Sequence, residues 1–433
     1  MSRLFSGTAI AVALIAAAQP AKAQTSQTEL DALKAQMAQM QARIQQLETT
    51  QTQPAPAPIA TQTAAPSSAN AFNPAISAVL NGHYGAFSNN DSNIAGFGIG
   101  EEAGRTGEGL TLDEAELNIN ANIDDMFFGN ITAALAYEDG ETEVELEEAY
   151  IKTLGLPYGA SVTAGRFFAP IGYINEKHAH TDDFVDRPLP NRAFLNNSYK
   201  DNGIMASVTL PTDFYSELGL AALQGNDFPG GGSEGSDPGA VAAFGKIGGD
   251  IGDNQDWLFG LSMLHTNAEE RLGNEDNITF NGDSNLYAAS LKYNWAPTGN
   301  AKEQLVSLQG EYFLRDENGE YEDIAAGTGA VDYDGHQSGW YAQGIYKFLP
   351  EWRVGARYST LYADDAPLGL TGSELDSDGH DPWNATTMVD WSNSEFSRIR
   401  LQYGYEELAD NRDDNQVMLQ YIMSLGAHPA HKY

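Results

Sequence analysis

The chain has 433 residues and no cysteine, so neither a disulfide nor a thiolate can stabilise it or act in it. Its 23 Lys and Arg stand against 60 Asp and Glu, a balance that disfavours nucleic acid as a partner and suits divalent cations. Beyond the N-terminus no apolar run approaches the ~20 residues a membrane helix needs, so any crossing of a bilayer falls to β-strands. The mean hydropathy of −0.38 fits a closed barrel whose inner half is polar.

The first residues read as a secretory signal. Arg3 precedes an apolar stretch over 8–18, and Ala21-Lys22-Ala23 supplies the small-x-small cleavage pattern, which places the mature start at Gln24. A membrane anchor is the alternative, but the stretch is too short to span. Without Arg3 and Lys22, 21 basic residues face 60 acidic ones. Residues 24–48 then carry Leu30, Leu33, Met37, Met40, Ile44 and Leu47 at alternating steps of three and four. That a/d seam predicts a short periplasmic coiled coil and a homotrimer. An amphipathic helix docked on its own barrel is the alternative. The Pro-, Gln- and Ala-rich stretch 49–73 reads as a semi-extended linker.

From 74 to 433 the chain turns rich in Gly, Asn, Asp, Tyr and Phe, and period-two alternation dominates. In 110–123, Ala115, Leu117, Ile119, Ala121 and Ile123 alternate with Glu114, Glu116, Asn118, Asn120 and Asn122. In 396–406, Ile399, Leu401, Tyr403 and Tyr405 alternate with Arg398, Arg400 and Gln402. Sixteen such strands are expected, over 76–87, 110–123, 126–137, 143–154, 159–168, 202–210, 214–223, 240–249, 256–266, 284–295, 304–315, 338–348, 351–362, 384–391, 396–406 and 415–426. Short connections, such as Asp124-Asp125 and Leu349-Pro350, alternate with long ones over 88–109, 169–201, 224–239, 267–283, 316–337 and 363–383. An outer-membrane barrel places its short turns in the periplasm and its long loops outside, and an even strand count leaves both termini in the periplasm. Trp257, Tyr293, Trp295, Trp340, Phe348, Trp352, Tyr362, Trp391 and Tyr405 fall near strand ends on the apolar parity, as an interfacial girdle requires. The expected fold is therefore an all-β, 16-stranded antiparallel transmembrane β-barrel behind a short N-terminal coiled-coil helix.

Ala164-Gly-Arg-Phe-Phe-Ala-Pro-Ile-Gly-Tyr173, Asp182-Asp-Phe-Val-Asp-Arg-Pro188 and Arg192-Ala-Phe194 resemble the fifth strand and third loop of the phosphate-selective porin O/P family. Leu112-Asp-Glu-Ala-Glu-Leu117, Glu147-Glu-Ala-Tyr-Ile151 and the ending Met423-Ser-Leu-Gly-Ala-His-Pro-Ala-His-Lys-Tyr433 resemble it too. The resemblance is nearest to its zinc-regulated outer-membrane branch, sometimes labelled TonB-dependent receptors. It implies a trimeric channel whose third loop, here 170–200, folds inward to narrow the pore. It also implies insertion by the barrel-assembly machinery and a setting of outer-membrane lipid and lipopolysaccharide. Phosphate-selective members ring the pore with basic residues. The external loops here are acidic instead: Glu101, Glu102, Asp227, Glu269, Glu270, Glu275, Asp276, Glu320, Glu322, Asp323, Asp364 and Asp365. That argues against phosphate.

The inward loop offers His178, His180, Asp182, Asp183, Asp186, Arg187 and Arg192 as constriction residues. The His-Ala-His spacing puts both imidazoles on one side of an extended chain, a possible ligand pair for Zn²⁺ or another divalent ion. Spacing supplies no closed ligand set, so lining an aqueous constriction or bonding to the wall is the competing reading. His428 and His431 read as solvated tail residues. Arg353, Arg357, Arg398 and Arg400 share the inward parity of strands 13 and 15, and Glu114, Glu116 and Glu148 lie on early strands. Facing basic and acidic walls would filter small solutes; mutual pairing that stabilises the barrel is compatible with this. No nucleophile motif, phosphate-cradling loop or His-Glu-x-x-His is present, so no enzyme and no resident cofactor are expected. The expected function is a passive diffusion pore for small hydrophilic solutes or ions. The alternatives are an energy-coupled or zinc-related uptake receptor, and a structural or adhesive surface protein. A TonB-dependent receptor needs a globular plug and about 22 strands, for which the chain leaves no room.

Overall fold

The computed structural model describes residues 74–426 apart from 90, 139–140 and 233–237. The signal, the coiled coil, the linker, His428, His431 and the terminal Tyr433 lie outside the described residues. The strands are β1 Ala75–Phe87, β2 Gly109–Asn122, β3 Phe127–Glu138, β4 Glu141–Thr153, β5 Ala160–Phe168, β6 Lys200–Thr209, β7 Tyr215–Leu223 and β8 Ala240–Asp250. They continue with β9 Gln255–Gly273, β10 Ile278–Trp295, β11 Leu305–Asp323, β12 Val331–Leu349, β13 Trp352–Ala363, β14 Trp383–Ser394, β15 Ser397–Ala409 and β16 Arg412–Gly426. Each pairs antiparallel with its chain neighbours, and β1 pairs with β16 to close the barrel.

Alternation decides which side chain faces where. On β15 and β16, Leu401, Tyr403, Leu419 and Tyr421 are exposed on the outside, while Arg400, Gln402 and Gln420 are buried inside. The outer aromatics run across strands. Trp352 stands beside Trp391, and Trp340, Tyr358, Trp383 and Tyr405 form a row with ring centroids 5.3–6.0 Å apart.

Two bulges matter for the site. Asn81 pairs with Glu114 and Gly82 with Leu112, so Asp113 is an extra residue in β2. Thr132 pairs with Glu148 and Ala133 with Leu146, so Glu147 is an extra residue in β4. An extra residue shifts the phase of the strand. Leu110 and Leu112 therefore share the outer face with Leu117, and Val144 and Leu146 share it with Ile151. The adjacent acids Glu147 and Glu148 consequently both reach the lumen.

Several long connections differ from expectation. Most of 267–283 and 316–337 is strand, and the chain turns at 274–277 and 324–330. The apolar outer face that marks lipid contact ends early there, but backbone pairing does not need it. Phe280, Tyr321 and Leu375 are buried beside that pairing, and Arg271 donates to Glu317 at 2.7 Å. Loop 1 (88–108) is not a free external loop. Its Ile94, Phe97, Ile99 and Ala103 are buried with Leu189, Ala193, Phe194 and Leu195 of loop 3 (169–199). Loop 3 contains a helix absent from the sequence reading, α1 Leu189–Leu195, with Pro190 in its first turn and Asn196 in the left-handed region at its end. Every residue of α1 is buried.

Candidate functional site: loop 3 against the inner wall

Loop 3 touches inward-facing side chains from strands all round the barrel. Gly172 N–H donates to Ser262 Oγ on β9 at 3.0 Å, and the Tyr173 and Ile174 amides donate to Glu311 on β11 at 2.7 and 3.1 Å. Gly172 has φ +71°, and a Cβ there would lie 2.3 Å from Glu311 Oε2. The left-handed backbone and the close carboxylate both favour glycine there. Contacts with β2, β4, β9, β11, β13 and β15 require 172–192 to run inside the barrel.

On the β13–β15 side the sequence-predicted arginines meet the sequence-predicted aspartates. Arg353 donates to Asp183 at 2.8 Å and Arg357 to Asp186 at 2.5 Å. Arg398 donates to the His180 carbonyl at 2.7 Å and Arg400 to the Asp182 carbonyl at 2.9 Å. At the centre is a residue the sequence reading passed over: Asp390 of β14, fully buried, which accepts from Arg400 Nε at 2.8 Å and from Arg353 Nε at 3.1 Å. These arginines do not form an open basic patch; they are tied to loop 3 and to Asp390. Burial opposes a charge on Asp183, but Arg353 outweighs it and holds the carboxyl below its ordinary range. Arg187 and Arg192 tie the loop to itself and to its surroundings. Arg187 Nε donates to Asp182 at 2.9 Å. Arg192 donates to the Ala103 carbonyl at 2.9 Å and to buried Glu406 at 3.0 Å.

The β2–β4 side differs in chemistry. His178 faces two carboxylates of the β4 bulge, with Nδ1 3.1 Å from Glu147 and Nε2 3.1 Å from Glu148. His180 Nδ1 lies 3.0 Å from Glu116 Oε2 and 3.7 Å from Glu114 Oε1 on β2. Glu116 Oε2 is also 3.4 Å from His178 Nδ1. The two rings stack at 5.7 Å between centroids with 20° between planes. Lys200 reaches Glu147 at 3.4 Å and Glu145 at 2.6 Å. Burial disfavours charge on both imidazoles, but the carboxylates outweigh it. Glu147 and Glu148 hold His178 well above the ordinary imidazole value, and Glu114 and Glu116 push His180 up to about 9.

Spacing placed the two imidazoles together but did not supply their partners. Glu147 was the missing member. Its signal was present as a doubled acid at the point where the leucine and valine phase of the strand changes parity. Asp390 left no such trace, because one aspartate on an alternating strand looks like any other inward polar residue.

A closed sixteen-stranded antiparallel barrel with an apolar outside and a polar inside is the architecture of a transmembrane β-barrel. Comparison with solved structures agrees at the level of fold. The anion-selective porin of Comamonas acidovorans superposes with a TM-score of 0.52 at 11% identity, over 82% of this chain and 99% of that one. The outer-membrane channel DcaP of Acinetobacter baumannii gives 0.50 at 13% identity, covering 82% and 97%. OmpF of Salmonella typhi, in complex with daunomycin, gives 0.50 at 12%, covering 81% and 97%. In sequence, an uncharacterised protein of Aquifex aeolicus is 29% identical over 85% of this chain and 81% of its own length. No family model matches the chain.

Proposed function

We propose that the protein is an outer-membrane porin that lets small hydrophilic solutes or ions diffuse through a lumen narrowed by loop 3. The observation that carries this reading is the bridging of loop 3 between the β2–β4 wall and the β13–β15 wall inside a closed barrel with a polar interior. Away from the apolar cluster of loop 1 and α1, the inward side chains are largely charged or amide, a lining that suits water and ions. The coiled-coil seam over 24–48 favours a homotrimer, anchored in the periplasm, with the barrel in outer-membrane lipid and lipopolysaccharide. The resemblance to the phosphate-selective porin O/P family and its zinc-regulated branch belongs to this proposal. The acidic loops turn the preference of the mouth toward cations.

Single-channel recording in a planar bilayer tests the reading. The purified, folded oligomer is expected to give discrete conductance steps, and removal of 173–192 is expected to raise them severalfold. A folded oligomer that never conducts overturns it.

A further inference from the structure

We infer that the cluster between loop 3 and the β2–β4 wall is a binding site for a divalent transition-metal ion of the Zn²⁺ class. The donors form two triads, Glu114–Glu116–His180 and Glu116–Glu147–His178, each with its three ligand atoms within 4.8 Å of one another. Each triad supplies one imidazole nitrogen and two carboxylate oxygens, and Glu116 belongs to both. An ion that holds nitrogen and oxygen at roughly 2.0–2.2 Å sets its neighbouring donors about 3.0–3.5 Å apart, along the edge of an octahedron or tetrahedron. The gaps from Glu116 to His180 and to His178 are 3.0 and 3.4 Å, and that from Glu147 to His178 is 3.1 Å. Glu114 to His180, at 3.7 Å, closes with a small rotamer adjustment.

A second observation points the same way. Glu116 is only 5% exposed, yet its Oε2, set between the two imidazoles, meets hydrogen-bond geometry with no donor. Glu114 Oε1 is buried in the same condition. Glu116 Oε2 thus lies 3.0 and 3.4 Å from two imidazole nitrogens but out of hydrogen-bond alignment, as donors that share one ion's shell do. The charges agree. Four carboxylates meet here, and Lys200, reaching Glu147, is a cation shared with Glu145. Mixed imidazole and carboxylate donors select Zn²⁺, Co²⁺ or Ni²⁺ over Ca²⁺ and Mg²⁺, which take all-oxygen shells. Three protein ligands per triad leave a coordination position open to water or to a passing anion. The site follows from these contacts alone and does not depend on whether the barrel conducts.

The test uses the full chain, purified folded in detergent and stripped with chelator. Zn²⁺ is titrated calorimetrically in excess Mg²⁺, and Co²⁺ is added separately for its visible spectrum. One or two Zn²⁺ per chain are expected, together with Co²⁺ bands of nitrogen–oxygen ligation. Glu116→Gln, and His178→Gln combined with His180→Gln, are expected to weaken Zn²⁺ at least tenfold. Glu320→Gln combined with Glu322→Gln, on the outer end of β11, is expected to leave it unchanged. Heat-shifted migration on gels verifies that each variant is folded, and the Co²⁺ spectrum of the wild type is independent of any variant. Uptake that is equal in wild type and the Glu116 and histidine variants, or a Co²⁺ spectrum no different from the aqueous ion, overturns the site. The cluster is then an ion-pair clamp for loop 3 only.

Discussion

Loop 3 is held by two walls of opposite character. On the β13–β15 wall Arg353, Arg357 and Arg400 each have a carboxylate within 3.1 Å, and Asp390 sits fully buried among them. On the β2–β4 wall four glutamates converge on two imidazoles, and two buried carboxylate oxygens find no donor. The first wall ties its arginines to carboxylates or, for Arg398, to the His180 carbonyl, and holds the loop. The second has spare negative charge and can still take something up. Buried ion pairs seldom add net stability over apolar packing, but breaking one strands a charge. The two walls should therefore respond differently when they lose a residue.

The largest difference is expected for backbone deletions. Deleting Glu147 removes the extra residue of the β4 bulge and restores plain alternation, so the barrel is expected to assemble with heat-shifted migration like wild type while losing one metal triad. Deleting Ile131 from the regular β3 inverts the faces of half that strand and is expected to prevent assembly. Equal outcomes would remove the bulge from the account.

Next comes charge. Asp390→Ala leaves Arg353 and Arg400 without their shared partner, and a loss of about 3–5 kcal/mol is expected in urea unfolding from detergent micelles. Glu116→Gln leaves His180 with Glu114 and His178 with Glu147 and Glu148, and is expected to cost less, about 1 kcal/mol. If the two cost the same, the contrast between the walls fails.

Gly172→Ala drives a Cβ into Glu311. It is expected to displace the start of loop 3, with faster protease cleavage of 173–192 and larger conductance steps, and with the barrel intact. Unchanged cleavage would mean that the Glu311 contact does not position the loop.

The smallest effect is one of pH. Asp183 has a lowered folded pKa, so its contribution is present above the unfolded carboxylate value of about 3.9 and is lost only as pH falls through the lower folded value. Between pH 7 and 5 the protease pattern of loop 3 is expected to stay constant in Glu114→Gln, Glu116→Gln, His178→Gln, His180→Gln protein, where both imidazoles are gone and the β13–β15 wall is intact. A change within that window assigns the anchoring to other groups.

How legible each part was depends on the range of the physics. Strand number, order and orientation were written in local alternation, since lipid outside and water inside impose a two-residue period on every strand. The flanks 267–273 and 316–323 escaped because pairing above the lipid belt needs no apolar face. Loop 1 escaped because Ile94, Phe97 and Ile99 are too few to form a pattern until α1 arrives to cover them.

Local alternation and spacing were enough for a barrel of sixteen strands, the inward parity of Glu116 and Arg400, and the pairing of His178 with His180 on one side of a loop. What those residues meet depends on the folded barrel. Ring closure and the path of loop 3 bring residues as far apart as Arg353 and Asp183 to 2.8 Å, and that proximity has no period to read along the chain. The β4 bulge lies between the two. Its phase shift is local and visible, but its consequence, Glu147 and Glu148 on either side of one imidazole, exists only once loop 3 has folded inside.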